Sequence, residues 1–263
     1  MTRKRIVIGN WKMYIESAPD AKEFARMLKR KARGVSGVEI ALAVPAPFIA
    51  ALAGILESSP VRVGAQAVSG RSGAHSGEVS GAMIKSAGGD FAIVGHSERR
   101  ATRVSEGKII QGDTNELVHA QLVGAASAGL SPVLCVGELE RNEDGSHVSF
   151  VAEQLRSALS GAQSLAGKLV VAYEPVWAIG KTAVDAMKPA EVREMTIFIR
   201  KTLADVLGRK PGLRVPILYG GSVEPENASA LIVEGDVAGF LVGHASVDVV
   251  SFVEIVKAAS KST

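Results

Sequence analysis

The sequence predicts a closed (β/α)8 barrel, and three observations lead there. Eight short apolar runs recur along the chain, helical patterns lie between them, and 263 residues shared among eight strand-helix units leave roughly 33 for each. The runs are nearly continuous in apolar residues rather than alternating, as in strands covered on both faces, so the sheet they form is parallel. An open doubly wound sheet is the alternative. No G-x-G-x-x-G follows the first run, which leaves a dinucleotide site without support.

The first strand is RIVIGN at 5–10, and it leads to a helix that Ser17 caps, with Pro19 in the first turn and Phe24, Met27 and Leu28 on one face. That helix ends in KRKAR at 29–33, cations at the negative end of the helix dipole with no aromatic residues near for stacking on bases. VEIALAVP at 38–45 precedes a helix at 47–57, and VRVGAQ at 61–66 precedes a short one around Met83 and Ile84. DFAIVGH at 90–96 leads to a helix at 106–129, and SPVLCVGE at 131–138 to one at 147–165. KLVVAYEP at 168–175 is followed by a helix at 189–207 that opens with proline and carries Val192, Met195, Ile199 and Leu203 at helical spacing. RVPILYGG at 214–221 and VAGFLVG at 237–243 close the set, with helices after Pro225 and after Ser246. The whole chain, residues 1–263, reads as one barrel domain.

Composition removes other classes. Apolar residues at 47% against 22% charged suit a chain with a large core and exclude intrinsic disorder. A single cysteine forms no intrachain disulfide, and no Cys/His spacing resembles a zinc module, so no metal is expected. The start, MTRKR followed by IVIGN, has too short an apolar run for a signal peptide, and no stretch is long enough to cross a membrane. A cytoplasmic protein with no nucleic-acid partner and no membrane partner is the expectation.

In such a barrel chemistry belongs at the C-terminal strand ends. The first strand ends in Asn10 and Lys12, two apart and on one side of an extended segment, where a lysine supplies positive charge to an anionic ligand. Seen alone, Lys12 is equally a surface lysine. The fourth strand ends in GHSERR. His96 precedes a helical turn whose N–H dipoles disfavour the imidazolium, leaving a neutral hydrogen-bond donor; alone it is equally a structural histidine, and Glu98 with Arg99 an ordinary ion pair. The sixth ends in YEPVWAIGK, with Glu174 followed by a stiff Pro175 and the apolar tip Trp177, Ala178, Ile179, Gly180. A carboxylate beside a mobile apolar flap is desolvated when the flap closes, which strengthens it as a base. The last two strands end in YGGS and LVGHAS, glycine turns before helix starts, which suit a phosphate. Together these groups suit proton abstraction next to a carbonyl in a small phosphorylated sugar, with no metal cluster or second nucleophile needed.

The motifs NWK, GHSERR, CVGE, YEPVWAIG, YGGS and LVG, in this order at these strand ends, resemble the triosephosphate isomerase family over essentially the full length. The resemblance implies interconversion of dihydroxyacetone phosphate and glyceraldehyde 3-phosphate, in glycolysis and gluconeogenesis, without a cofactor. It implies Glu174 as proton acceptor, His96 as electrophile, and Asn10 and Lys12 as substrate-binding groups with Glu98 beside Lys12. Gly180, Ser222, Gly243 and His244 would hold the phosphate, with Tyr219 and Gly221 supporting that turn. The segment GAHSGEVS at 73–80, with Ser76 in it, resembles the family's protruding dimer loop and implies a homodimer. Cys135 matches a cysteine the family buries beside the site.

Four departures stand out against the family pattern. The flap reads AIGKTA where AIGTGKTA is usual, two residues shorter; His244 stands for the last glycine of LVGG; His75 and Ser76 replace an aromatic and a threonine; and Ala67 follows Gln66 where asparagine or aspartate is common. The rival enzyme readings are an Amadori-type sugar isomerase or an aldolase using Lys12 as a Schiff base, which borohydride trapping separates. The rival outside enzymes is a barrel kept as a binding or scaffold protein.

Overall fold

A computed structural model describes residues 5–105, 108–181 and 186–261. Eight parallel strands close into a barrel: β1 (Arg5–Asn10), β2 (Val38–Val44), β3 (Val61–Ala65), β4 (Phe91–Val94), β7 (Ser131–Val136), β8 (Val170–Tyr173), β9 (Ile217–Tyr219) and β10 (Gly239–Val242). Each pairs with its neighbour in sequence order, and β1 against β10 shuts the ring, with Ile6 opposite Gly239 and Gly9 opposite Val242.

The apolar runs point both ways because two cores need them. Ile8, Ala41, Ala43, Ile93, Val133, Cys135, Ala172, Leu218 and Leu241 fill the barrel interior, and their alternates Val7, Leu42, Val94, Leu134, Val171 and Phe240 meet the helices outside. A strand covered on both faces has no polar side to spare, which is why alternation is missing from the sequence.

The helices are α1 (Ala18–Lys31), α2 (Ile49–Leu56), α3 (Gly81–Ser86), α4 (Ser97–Arg100), α5 (Asn115–Ser127), α6 (Ser146–Ala158), α7 (Pro189–Leu207), α8 (Arg209–Gly212), α9 (Pro225–Glu234) and α10 (Val249–Lys261). Ser17 caps α1 by accepting the Asp20 N–H at 3.2 Å. The basic run at its end neutralises carbonyls: Lys29 Nζ donates to Ile55 O and Glu57 O, both at 2.8 Å, tying α1 to the end of α2.

Four segments differ from the sequence expectation. The helix expected at 106–129 begins only at Asn115, because Thr114 caps it by accepting the Leu117 N–H at 3.3 Å. Ahead of it lies an antiparallel hairpin, β5 (Arg103–Ser105) with β6 (Lys108–Ile110), built on a run rich in β-branched residues. Glu106, where that helix was expected to start, lies outside the described residues. The helix expected at 147–165 stops at Ala158, where Ser160 and Gly161 are poor helix formers, and a 3-10 turn (Gln163–Gly167) follows. The stretch expected as one helix at 47–57 opens with a 3-10 turn (Ala46–Phe48) before α2, and α8 was not foreseen.

Among the described residues no helix is long and apolar enough to cross a membrane.

Candidate active site

The C-terminal ends of β1, β4, β8, β9 and β10 surround a cavity of about 500 Å³ lined by Asn10, Lys12, His96, Glu174, Gly180, Gly221, Ser222, Gly243 and His244. These nine were singled out in the sequence, and the closure of the barrel brings them together. Of the others, Glu98 stands beside the cavity with Oε1 2.7 Å from Lys12 Nζ. Tyr219 is buried outside the barrel wall, its ring 6.4 Å from that of Tyr173, and does not line the cavity. Ser76 sits apart on the exposed segment 71–78.

Glu174 follows β8 and is 3% exposed. Its Oε2 accepts the Ser97 N–H at 3.0 Å, and its Oε1 lies 3.2 Å from His96 Nε2. Gly137 sets its backbone: a Cβ there would collide with the Glu174 carbonyl, so β7 and β8 end in close approach only with glycine at this point.

His96 is the N-cap of α4, and its Nδ1 accepts the Glu98 N–H at 3.2 Å. A ring nitrogen that accepts carries no proton, so the imidazole is neutral with its hydrogen on Nε2. That is the donor that meets Glu174.

Lys12 has φ 49°, a left-handed backbone that a lysine rarely takes. Two bonds hold it there. Its N–H donates to Asn10 Oδ1 at 3.1 Å, and its carbonyl accepts Gln66 Nε2 at 2.8 Å. Strain kept in place by specific bonds at a cavity marks a functional position.

The stem of the flap is also tied down. Trp177 Nε1 and Tyr173 Oη both donate to Glu138 Oε1 at 2.8 Å, and Ser222 Oγ donates to the Ala178 carbonyl at 3.0 Å. Burial and the Glu138 carboxylate push the Tyr173 phenol far above its ordinary range, so it stays a donor. The flap residues Thr182 and Ala183 lie outside the described residues.

Sequence reasoning assigned no role to Gln66, to the Ser97 N–H, to Glu138, or to Tyr14 and Glu224, which also line the cavity. Tyr14 packs edge-on against His244 with centroids 5.5 Å apart. Burial pushes the Glu224 carboxyl up, the nearby Glu226 adds to this, and His244 opposes it. Backbone donors and glutamines leave no motif, so only the earlier appearance of Glu138 in CVGE was a signal. Among the described residues no group of three or more His, Cys, Asp or Glu side chains is arranged to hold a metal ion.

A family model described as triosephosphate isomerase matches residues 5–259. A triosephosphate isomerase of Carboxydothermus hydrogenoformans is 42% identical over 260 residues, covering 97% of this chain and 98% of its own. One of Herminiimonas arsenicoxydans is 41% identical over 262 residues, with 98% and 100% covered. The crystal structure of triosephosphate isomerase from Bartonella henselae superposes with a TM-score of 0.82 at 30% identity, covering 97% of this chain and 98% of that one.

Proposed function

The chain belongs to the triosephosphate isomerase family, and we propose that Glu174 is the base of its reaction. The protein is an isomerase that interconverts dihydroxyacetone phosphate and glyceraldehyde 3-phosphate, a step of glycolysis that also runs in gluconeogenesis.

Glu174 takes the proton from the carbon next to the carbonyl, the electron pair of that C–H bond forms the C=C of an enediolate, and the same carboxyl returns the proton to the neighbouring carbon. His96 gives its Nε2 hydrogen to the oxyanion that forms at the carbonyl and takes up the proton of the neighbouring hydroxyl, so carbonyl and hydroxyl change places, and Lys12 and Asn10 hold that end of the substrate. The ammonium and the neutral donor match charge that exists only after proton removal, so they favour the transition state over the substrate. Gly180, Ser222, Gly243 and the His244 backbone hold the phosphate, with Gly221 and Tyr219 shaping the turn. No cofactor takes part in this reading.

The observation that carries it is the Glu174 carboxylate held 3.2 Å from a neutral His96 in a 500 Å³ cavity with Lys12. The test is Glu174→Gln in a coupled assay with glyceraldehyde 3-phosphate. The expected loss in kcat is about 10²- to 10⁴-fold, and turnover equal to the parent overturns the reading.

We read residues 1–263 as one domain that works in the cytoplasm as a homodimer. The loop at 73–80, exposed over 73–78 and carrying Ser76, supports this. So does a second cavity of about 480 Å³ beside the first, lined by Lys12, His96, Glu98 and the exposed apolar Met13 and Ile110, which suits a partner's loop. Sedimentation of the purified protein as a monomer overturns it.

A further inference from the structure

The GHSERR turn leaves one largely buried cation outside the chemistry above. Arg100, the last residue of α4, folds back so that Nε donates to the Gly95 carbonyl at 2.8 Å and Nη1 to Asn115 Oδ1 at 2.7 Å. Its Nη2 is buried with no hydrogen-bond partner among the described residues. Gly95, immediately before His96, has φ +69°, and a Cβ there would come within 2.9 Å of Nη2 and 3.1 Å of Nε. The guanidinium and the turn that carries His96 are therefore packed as one piece.

Arg100 and Glu174 also line a common cavity of about 360 Å³, together with Ser97, Gly137 and Gln154. The groups that face Glu174 are few. From α4 and its cap come His96 and the Ser97 N–H; from β7 comes the buried Cys135 thiol; across the substrate cavity stands Lys12. The charge of Lys12 is shared with Glu98 at 2.7 Å. The hydrogen-bond partners of Arg100 are neutral oxygens, and Asp113, the carboxylate near it apart from Glu174, is itself bonded to Arg99 and Gln121. Burial pushes the guanidinium down from its ordinary value, against which Cys135, Asp113 and Glu174 favour the cation. Arginine remains charged under such conditions where a lysine would titrate more readily.

We propose that Arg100 is a positioning residue for the isomerisation: it clamps the turn at 95–97 that places His96 Nε2 and the Ser97 N–H beside Glu174. This rests on the reading of Glu174 as the base. A turn freed from the guanidinium lets the imidazole drift from the geometry the reaction needs, while the residues that line the far side of the cavity stay in place.

The test compares Arg100→Gln and Arg100→Lys with the parent by kcat and KM separately. With Arg100→Gln, kcat is expected to fall about tenfold with KM little changed. Arg100→Lys, which can still donate to the Gly95 carbonyl but lacks the fork that also reaches Asn115, is expected to recover part of that loss in kcat. A folded Arg100→Gln with the parent's kcat overturns the proposal, and so does one whose KM rises as far as its kcat falls. If Arg100→Gln does not fold, Arg100→Lys decides alone: a lower kcat at the parent's KM supports the proposal, and the parent's kcat overturns it. A parent enzyme whose turnover survives Glu174→Gln would instead remove the reading beneath it.

Discussion

His96 Nε2 and Glu174 Oε1 stand 3.2 Å apart, and the other oxygen of the same carboxylate takes the Ser97 N–H at 3.0 Å. The proton acceptor and the oxyanion donor of the proposed reaction thus stand side by side. The bond from the Ser97 N–H to the carboxylate contributes about 1.5–3 kcal/mol, so the base is held beside the imidazole at the edge of the cavity. In the proposed reaction the substrate oxygen takes up the Nε2 hydrogen while the carboxylate removes the proton from the adjacent carbon.

The close approach of β7 to β8 gives the first prediction. Gly137 is fixed by both ends of the Gln154 amide, its N–H donating to Oε1 at 2.8 Å and its carbonyl accepting Nε2 at 3.2 Å, and has no room for a Cβ against the Glu174 backbone. Gly137→Ala is expected to destabilise the protein by about 1–3 kcal/mol and to lower kcat more than it raises KM. Urea unfolding and steady-state kinetics check both.

The flap gives the second. Trp177 anchors its stem through the 2.8 Å bond to Glu138, and a flap that closes poorly admits water to the enediolate and lets phosphate leave. Trp177→Phe is expected to form several times more methylglyoxal per turnover, about the effect of losing one bond of 1 kcal/mol. The parent, whose flap is two residues short of the family pattern, is expected to exceed a relative with the full-length flap. Methylglyoxal counted against product measures both, and equal ratios reject the idea.

His244 gives the third. It stands at the start of a 3-10 turn (His244–Val247), lines the cavity with Tyr14 and Glu224, and packs its ring edge-on against Tyr14. His244→Gly is expected to raise KM for glyceraldehyde 3-phosphate about threefold to tenfold, the weight of one hydrogen bond, with kcat less affected. An unaltered KM counts against a side-chain contact with phosphate.

Cys135 gives the fourth. The thiol lies inside the barrel at 0% exposure, and burial first, then the Glu174 carboxylate, push it well above its ordinary value. Since the thiolate is the reactive form, iodoacetamide is expected to leave the native protein unmodified in mildly alkaline buffer and to add once after denaturation. Intact mass before and after unfolding is the measurement.

The sequence on its own determined the barrel and the motifs at its mouth. Continuous apolar runs such as VEIALAV have no polar face to expose, so they had to be covered on both sides, and glycine turns with isolated polar residues at the ends of those runs had nowhere to lie but the rim. It misjudged the start of α5 and the end of α6, where a cap and a Ser-Gly step outweigh a helical spacing of apolar residues. Only the tertiary structure decided that Gln66 bends Lys12, that the Ser97 amide parks Glu174, and that Arg100 sits behind the histidine turn. Those are contacts between backbone groups and side chains far apart in the chain, set by the closure and stagger of eight strands. A periodicity records which side a residue faces, and carries no information about which distant atom will be waiting there.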